Sequence, residues 1–268
     1  MNRLLVILSF ALFYVSAGVA VESEFPGRKL YLAVPVIELD DAYQRRKQVV
    51  FVDVRSAYEY QTLRIKNAIN IPLADKTFLE KMKALRSQQG NKPIVAYCNG
   101  KTCMKSYKAV TKCRQFDIGN VIAYDAGIMD WAKKYPAEAV LLGKSPINPA
   151  NLIDKAKFKK HLIEPDVFEE KVATSNALVL DVRDPFQREG IGIFVGKEQR
   201  VSLDDAKAVD KYLEQAKTEN RTLLIYDQAG KQVQWLMYHI EEKGVRSYFF
   251  MQGGAHAYFK NLRKQFVR

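Results

Sequence analysis

The chain has 268 residues, of which 48% are hydrophobic and 27% are charged, and its 42 Lys and Arg against 30 Asp and Glu give a formal net charge of +12. This composition excludes a disordered chain, a collagen-like fibre and a polytopic membrane protein. At roughly 100–150 residues per domain the length predicts two domains, and the positive charge is compatible with nucleic acid, anionic lipid or a small anionic substrate as partner.

The first 20 residues have the pattern of a secretory signal peptide. Arg3 is followed by an apolar run over 4–14 and by small residues that end at Ala20, which predicts a signal peptide at 1–20. The alternative is an uncleaved membrane anchor, because 4–21 is just long enough to span a bilayer of about 30 Å. We expect a periplasmic or secreted protein that contacts a membrane only if this segment is retained.

The rest of the chain contains an internal repeat. Three segments recur later in the chain, each displaced by nearly the same number of positions. The pairs are 49–55 with 177–183, 93–98 with 222–227, and 124–127 with 251–254. The first two pairs are continuous apolar runs, which are typical of strands buried on both faces of a parallel sheet. Helical patterns lie between them, over 77–87, 104–116, 204–216 and 232–243.

This alternation of strand and helix predicts an α/β fold built twice, each unit being a mainly parallel sheet with helices on both faces. We place the first domain at 31–142, a linker rich in Gly and Pro at 143–162, and the second domain at 163–268.

Three cysteines, Cys98, Cys103 and Cys113, lie within sixteen positions of the first unit. Cys98 ends a predicted strand and begins a loop that leads into a helix, where free backbone N–H groups and the helix dipole stabilise negative charge. We expect Lys101 and Lys105 to lower the pKa of Cys98 further. Cys113 is interpreted as a buried structural thiol.

The same landmarks resemble a rhodanese domain. They are Asp53-Val54-Arg55, Glu59-Tyr60, the segment 64–72, the Cys98 loop, and 124–127 with Trp131. In the second unit the strand ends at Asp227, where a carboxylate cannot carry sulfur. The resemblance therefore implies a tandem rhodanese with an active first domain and an inactive second one, the reverse of the order in well-known tandem members.

The resemblance implies a sulfurtransferase of the thiosulfate:cyanide type, in which Cys98 forms a persulfide. The partners would be a small sulfur anion such as thiosulfate and a thiol or cyanide acceptor. The implied substrate-binding loop comprises Asn99, Gly100, Lys101, Thr102, Cys103 and Lys105, with Arg64 as a further candidate for the anion pocket. We expect no cofactor and no metal, because no Cys/His spacing resembles a metal site, and no nucleic acid, because aromatic-rich basic repeats are lacking.

Cys103 leaves two alternatives open. It either resolves a persulfide as a disulfide with Cys98 or packs at the start of the helix. The first option connects to a second hypothesis, a thiol-disulfide or redox protein that uses Cys98 and Cys103. A third hypothesis is a binding module without catalysis, which presents a basic cleft to an anionic partner.

Overall fold

A computed structural model of the chain describes residues 24–174, 176–188 and 192–266. The predicted signal peptide at 1–20 lies outside these residues. Within the described part, none of the helices combines the length and the apolar composition that crossing a bilayer requires.

The first half is built on a four-stranded parallel sheet, and a separate antiparallel pair lies beside it. Its strands are β1 (Val50–Asp53), β2 (Leu63–Ile65), β3 (Ile69–Asn70), β4 (Ile94–Tyr97), β5 (Val121–Tyr124) and β6 (Ala139–Leu141). Its helices are α1 (Pro26–Leu30), α2 (Leu39–Gln44), α3 (Ala57–Thr62), α4 (Phe78–Gln89), α5 (Lys105–Gln115) and α6 (Gly127–Lys134), followed by a 3₁₀ turn at Pro136–Glu138. The order in the sheet is β3-β1-β4-β5, and β2 pairs with β6.

The second half is built on a five-stranded parallel sheet. Its strands are β7 (Leu162–Ile163), β8 (Ala177–Asp181), β9 (Glu198–Arg200), β10 (Thr222–Tyr226) and β11 (Tyr248–Met251). Its helices are α7 (Lys155–Lys159), α8 (Pro165–Thr174), α9 (Ala206–Thr218), α10 (Val233–Lys243) and α11 (Gly254–Phe266), with 3₁₀ turns at Pro149–Asn151 and Pro185–Arg188. The order is β7-β11-β10-β8-β9.

The predicted α/β fold with parallel sheets and flanking helices is confirmed. All four residues of β1 and of β4 are buried, as the continuous apolar runs require for strands covered on both faces. Along β1 the side chains alternate between two apolar clusters, since Phe51 belongs to one and Val50 and Val52 to the other. The four predicted helices are present, with ends within two residues of those predicted.

The packing of the first half begins before position 31, the predicted start of the first domain. Gly27 of α1 lies against the ring of Tyr107, and Arg28 pairs with the buried carboxylate of Asp125 at 2.8 Å. The other predicted boundary falls within β7, whose two residues pair with β11.

One apolar cluster continues from the first half into the second, and it includes Phe51 and Trp131 as well as Leu180 and Trp235. A ring contact reinforces this junction. The ring of Tyr58 stacks on His239 with centroids 5.6 Å apart. Burial that extends across both sheets stabilises each half through the other.

The N-terminus of α6 approaches the Cys98 loop so closely that only glycine fits there. Gly127 has a φ of +71°, and a Cβ at this position would lie 2.4 Å from the backbone nitrogen of Gly100. The contact is fixed by a hydrogen bond from Ile128 N to Cys98 O at 3.0 Å. In the second half, Gly254 makes the same approach to the loop that begins at Asp227.

We predict that Gly127→Ala destabilises the fold more than Gly143→Ala. Both glycines have a positive φ, but nothing lies within 4 Å of a Cβ at Gly143. The control should therefore lose only about 1–2 kcal/mol for its backbone conformation, whereas Gly127→Ala should lose about 1–3 kcal/mol more from the steric overlap. Urea denaturation of the two variants measures the difference, and equal midpoints would contradict the close approach.

Candidate active site

Cys98 follows β4 directly and lies at the carboxyl end of the sheet. The loop 98–103 turns back through a hydrogen bond from Cys103 N to Gly100 O at 2.8 Å, and α5 begins two residues later. Open parallel sheets bind their ligands at this edge, next to the N-terminus of the following helix.

The sulfur of Cys98 is enclosed by its own loop. The residue has no solvent exposure, and its Sγ lies 3.3 Å from the carbonyl oxygen of Cys103 and 3.8 Å from Oγ of Ser106. Burial raises the pKa of Cys98 well above its usual range, and the contact with Cys103 raises it further. Cys98 therefore rests as a neutral thiol.

Cys103 carries the negative charge of the pair. The neighbouring Cys98 side chain, the backbone N–H groups of Lys105 and Asn99 and the charge of Lys105 all favour its thiolate. Burial opposes these contacts but does not cancel them, so the pKa of Cys103 falls to about 6. Cys103 is partly exposed and Cys98 is not, so the reactive thiolate is on the solvent side.

The expectation that Lys101 and Lys105 lower the pKa of Cys98 is wrong. Lys101 Nζ pairs with Glu24 and lies 3.2 Å from Asp130. Lys105 Nζ lies 3.6 Å from Glu59. Acids that are distant in the sequence thus take up these two charges, and burial dominates at Cys98.

Asn99 connects the loop to a buried polar network. Its Oδ1 accepts from Arg55 Nη1 at 3.1 Å, and its Nδ2 donates to Glu59 Oε1 at 2.9 Å. Burial alone would raise the pKa of Glu59, but Lys105, Arg55 and the Asn99 amide outweigh it and hold that pKa below its usual range. The loop is therefore attached to a fixed ionic framework.

Arg55 is the centre of this network and is fully buried. Its guanidinium donates to both oxygens of Asp53, at 2.9 and 2.5 Å, and to the carbonyl of Leu63. On the other side it lies over the ring of Trp235, 5.0 Å from the centroid. The sequence suggests the Asp53–Arg55 pair but not its contact with the loop, because Asn99 is 44 positions away.

The remaining candidates take different positions. Gly100 packs against the backbone at Gly127, and Thr102 is exposed on the loop. Arg64 lies over the ring of Tyr60 and donates to the carbonyl of Gln61, so its described contacts do not include the loop. Cys113 is buried as expected, and burial raises its pKa to about 11.

In the second half, a carboxylate fills the equivalent loop. Asp227 Oδ1 accepts from the backbone N–H groups of Ala229, at 2.8 Å, and Gly230, and Oδ2 accepts from those of Gln232, at 2.5 Å, and Val233, at 3.2 Å. The amides that would otherwise bind an external anion are bound to this side chain. The first loop has a sulfur in the corresponding space.

Because Cys103 has a lowered pKa, its alkylation rate should reach half of its maximum at a low pH. The rate of Cys103 modification by iodoacetamide should be half-maximal near pH 6, against about 8.5 for an ordinary thiol. Cys98→Ala removes the S–H donor and should raise this midpoint, as peptide mass spectrometry at several pH values would show. Faster alkylation of Cys98 than of Cys103 would contradict the assignment.

The Asp227 carboxylate should stabilise its loop. Asp227→Asn leaves some of the loop N–H groups without an acceptor, so the free energy of unfolding should fall by about 1–3 kcal/mol. The control is Asp205→Asn, because Asp205 caps α9 through a single bond to Ala208 N and Asn caps a helix equally well. Equal unfolding midpoints in urea for the two variants would contradict this role.

Comparison with known proteins gives partial matches. Residues 37–134 match the family described as Rhodanese-like domain. The HTH-type transcriptional regulator Rv0324 of Mycobacterium tuberculosis is 39% identical over 85 residues, which are 31% of this chain and 34% of that protein. The tRNA uridine(34) hydroxylase of Cytophaga hutchinsonii is 43% identical over 60 residues, which are 22% of this chain and 19% of that protein. The matches thus span about 34% and 19% of the length of these two relatives.

Solved structures are similar at low identity. Thiosulfate sulfurtransferase from Pseudomonas aeruginosa is 15% identical with a TM-score of 0.39, over 85% of this chain and 42% of that one. The BH2092 protein from Bacillus halodurans is 22% identical with a TM-score of 0.36, over 50% of this chain and 92% of that one. The sequence match over 37–134 includes the Cys98 loop, so this part of the chain is similar to rhodanese-like domains.

Proposed function

We propose that this protein is an exported sulfurtransferase. It moves sulfane sulfur from thiosulfate or a similar donor to a thiophilic acceptor through a persulfide on Cys98. The observation that carries the proposal is the position of Cys98 at the carboxyl end of β4, within the segment that matches the rhodanese-like domain, with a second thiol of lowered pKa in the same loop. Such an arrangement supplies a nucleophile and an adjacent base.

The two thiols account for the proton that Cys98 loses when it takes up sulfur. Cys98 attacks the outer sulfur of thiosulfate, the S–S bond of the donor breaks and sulfite leaves with the electron pair. The proton of Cys98 passes to the neighbouring thiolate of Cys103 in the same loop. One buried negative charge is present before and after the step, so the loop does not have to stabilise a second one.

Ser106 and the start of α5 support the persulfide. The Ser106 hydroxyl lies 3.8 Å from the Cys98 sulfur, and its backbone N–H also faces that sulfur. A hydroxyl and an amide at a helix N-terminus stabilise an anion. Transfer to cyanide or a thiol then returns Cys98 to its resting state.

The second half fits an inactive partner in a tandem rhodanese. Asp227 occupies the position of Cys98 and uses its own carboxylate to bind the loop amides. A carboxylate accepts no sulfur, and its charge repels a donor anion. We assign the chemistry to the first half and a packing role to the second, where Trp235 covers Arg55.

Export rests on the residues before the described part. The basic start, apolar run and small residues of 1–20 are those of a secretory signal. A protein cleaved there would carry its thiols outside the cytosol, where no glutathione pool keeps them reduced.

A thiol-disulfide function is the second candidate, and the proximity of Cys98 and Cys103 within one loop favours it. In that case Cys103→Ser should abolish redox activity, measured as reduction of a disulfide substrate. A sulfurtransferase should still load sulfur on Cys98 in this variant.

Incubation with thiosulfate should add one sulfur atom to the protein. Intact mass spectrometry should show the addition in the wild-type chain and in Cys113→Ala, whose thiol is buried on α5 away from the loop. Cys98→Ala should show none and should also fail to form thiocyanate from cyanide. A wild-type protein that gains no sulfur and converts no cyanide would reject the proposal.

A further inference from the structure

We propose that Cys103 is a second sulfur-carrying residue, which takes the sulfane sulfur from Cys98 and passes it to bulky acceptors. The inference rests on the proposed function and adds a step to it. Cys98 has no solvent exposure, whereas Cys103 is partly exposed on the same loop and its carbonyl oxygen lies 3.3 Å from the Cys98 sulfur.

The enclosure of Cys98 is built into the backbone. The carbonyl oxygen of Cys103 lies 3.3 Å from its sulfur, and the close approach of Gly127 to Gly100 holds the opposite side of the loop. The Cys98 carbonyl itself is bound by Ile128 N at 3.0 Å. A peptide thiol therefore meets a sulfur on partly exposed Cys103 more readily than one on enclosed Cys98.

The relay is balanced within the pair. In the tautomer with Cys98–S–SH and a Cys103 thiolate, the thiolate attacks the outer sulfur. A new S–S bond forms on Cys103, the S–S bond on Cys98 breaks, and Cys98 leaves as a thiolate. The proton of the transferred persulfide then passes to Cys98, which leaves Cys98–SH and Cys103–S–S⁻. The step needs no oxidant and no reductant.

The surroundings favour the sulfur on Cys103 at the end of this step. Buried Cys98 returns to the neutral form that its environment stabilises. The charged persulfide lies where the N–H groups of Lys105 and Asn99 already face a sulfur anion. A thiolate acceptor then attacks the outer sulfur, the bond to Cys103 breaks, and Cys103 leaves as the thiolate of the resting state.

The corresponding loop of the second half lacks both cysteines. Asp227 stands where the first loop has Cys98, and Gln232 stands where it has Cys103. In that loop the backbone N–H of Gln232 binds the Asp227 carboxylate at 2.5 Å. The two thiols therefore occur together in one loop and are both absent from the other, as expected for residues that act as a pair.

The test separates loading from transfer. Wild type, Cys103→Ser and the control Cys113→Ala are loaded to completion with thiosulfate, freed of donor, and mixed with either cyanide or glutathione. Rapid alkylation followed by peptide mass spectrometry locates the sulfur on Cys98 or Cys103. We expect sulfur on both residues in wild type and in Cys113→Ala.

In loaded Cys103→Ser, transfer to glutathione should slow by on the order of tenfold or more, because the intramolecular step is lost. Transfer to cyanide should slow less than transfer to glutathione, because Cys103 serves in that reaction as a proton partner and not as a sulfur carrier. The cyanide arm also controls for any effect of the substitution on the Cys98 persulfide itself.

Three outcomes would overturn the relay. In the first, loaded wild type carries sulfur on Cys98 alone and Cys103→Ser transfers it to glutathione at an unimpaired rate. In the second, the loaded protein releases hydrosulfide and forms a Cys98–Cys103 disulfide. In the third, Cys98→Ser takes up sulfur and Cys103→Ser does not. A wild-type protein that takes up no sulfur at all would instead reject the proposed function.

Discussion

The site depends on the hydrogen bonds and ion pair that the buried guanidinium of Arg55 makes. A charge removed from water is costly unless it is paired and hydrogen-bonded, and Arg55 meets this requirement through Asp53, Asn99 and the carbonyl of Leu63. These partners belong to β1, to the Cys98 loop and to β2. The ring of Trp235 covers the remaining face, so one charge ties the reactive loop to the sheet and to the second half of the chain.

The two halves show how one backbone arrangement supports different chemistry. Gly127 and Gly254 both have a positive φ and both approach their loops too closely for a side chain. Asp181 and Arg183 form the same buried pair as their counterparts in the first half, at 2.7 Å. The difference is the side chain at the tip of the central strand. In the second loop the Asp227 carboxylate binds the N–H groups, and in the first a thiol pair occupies that space.

The sequence was sufficient for the fold and for the location of the candidate site. Strands β1 and β4 are continuous apolar runs, and the helix after the cysteine loop begins within one residue of its predicted start, because local patterning determines these elements. The charges around the loop were not predictable. Lys101 and Lys105 are paired with Glu24, Asp130 and Glu59, which are 77, 29 and 46 positions away in the sequence. Burial of Cys98 raises its pKa, opposite to the expected direction.

The division of exposure and charge between the two thiols follows from a constraint on any buried nucleophile. A sulfur protected from water is protected from large acceptors as well, and burial that prevents hydrolysis of a persulfide also favours the neutral thiol over the thiolate. A single cysteine cannot be both enclosed and ionised at low cost. Placing the charge on Cys103, where the N–H groups of Lys105 and Asn99 face the sulfur, leaves Cys98 neutral and enclosed. The proton needs to move only between two neighbouring thiols of one loop, so the pair combines protection with reactivity that neither thiol has alone.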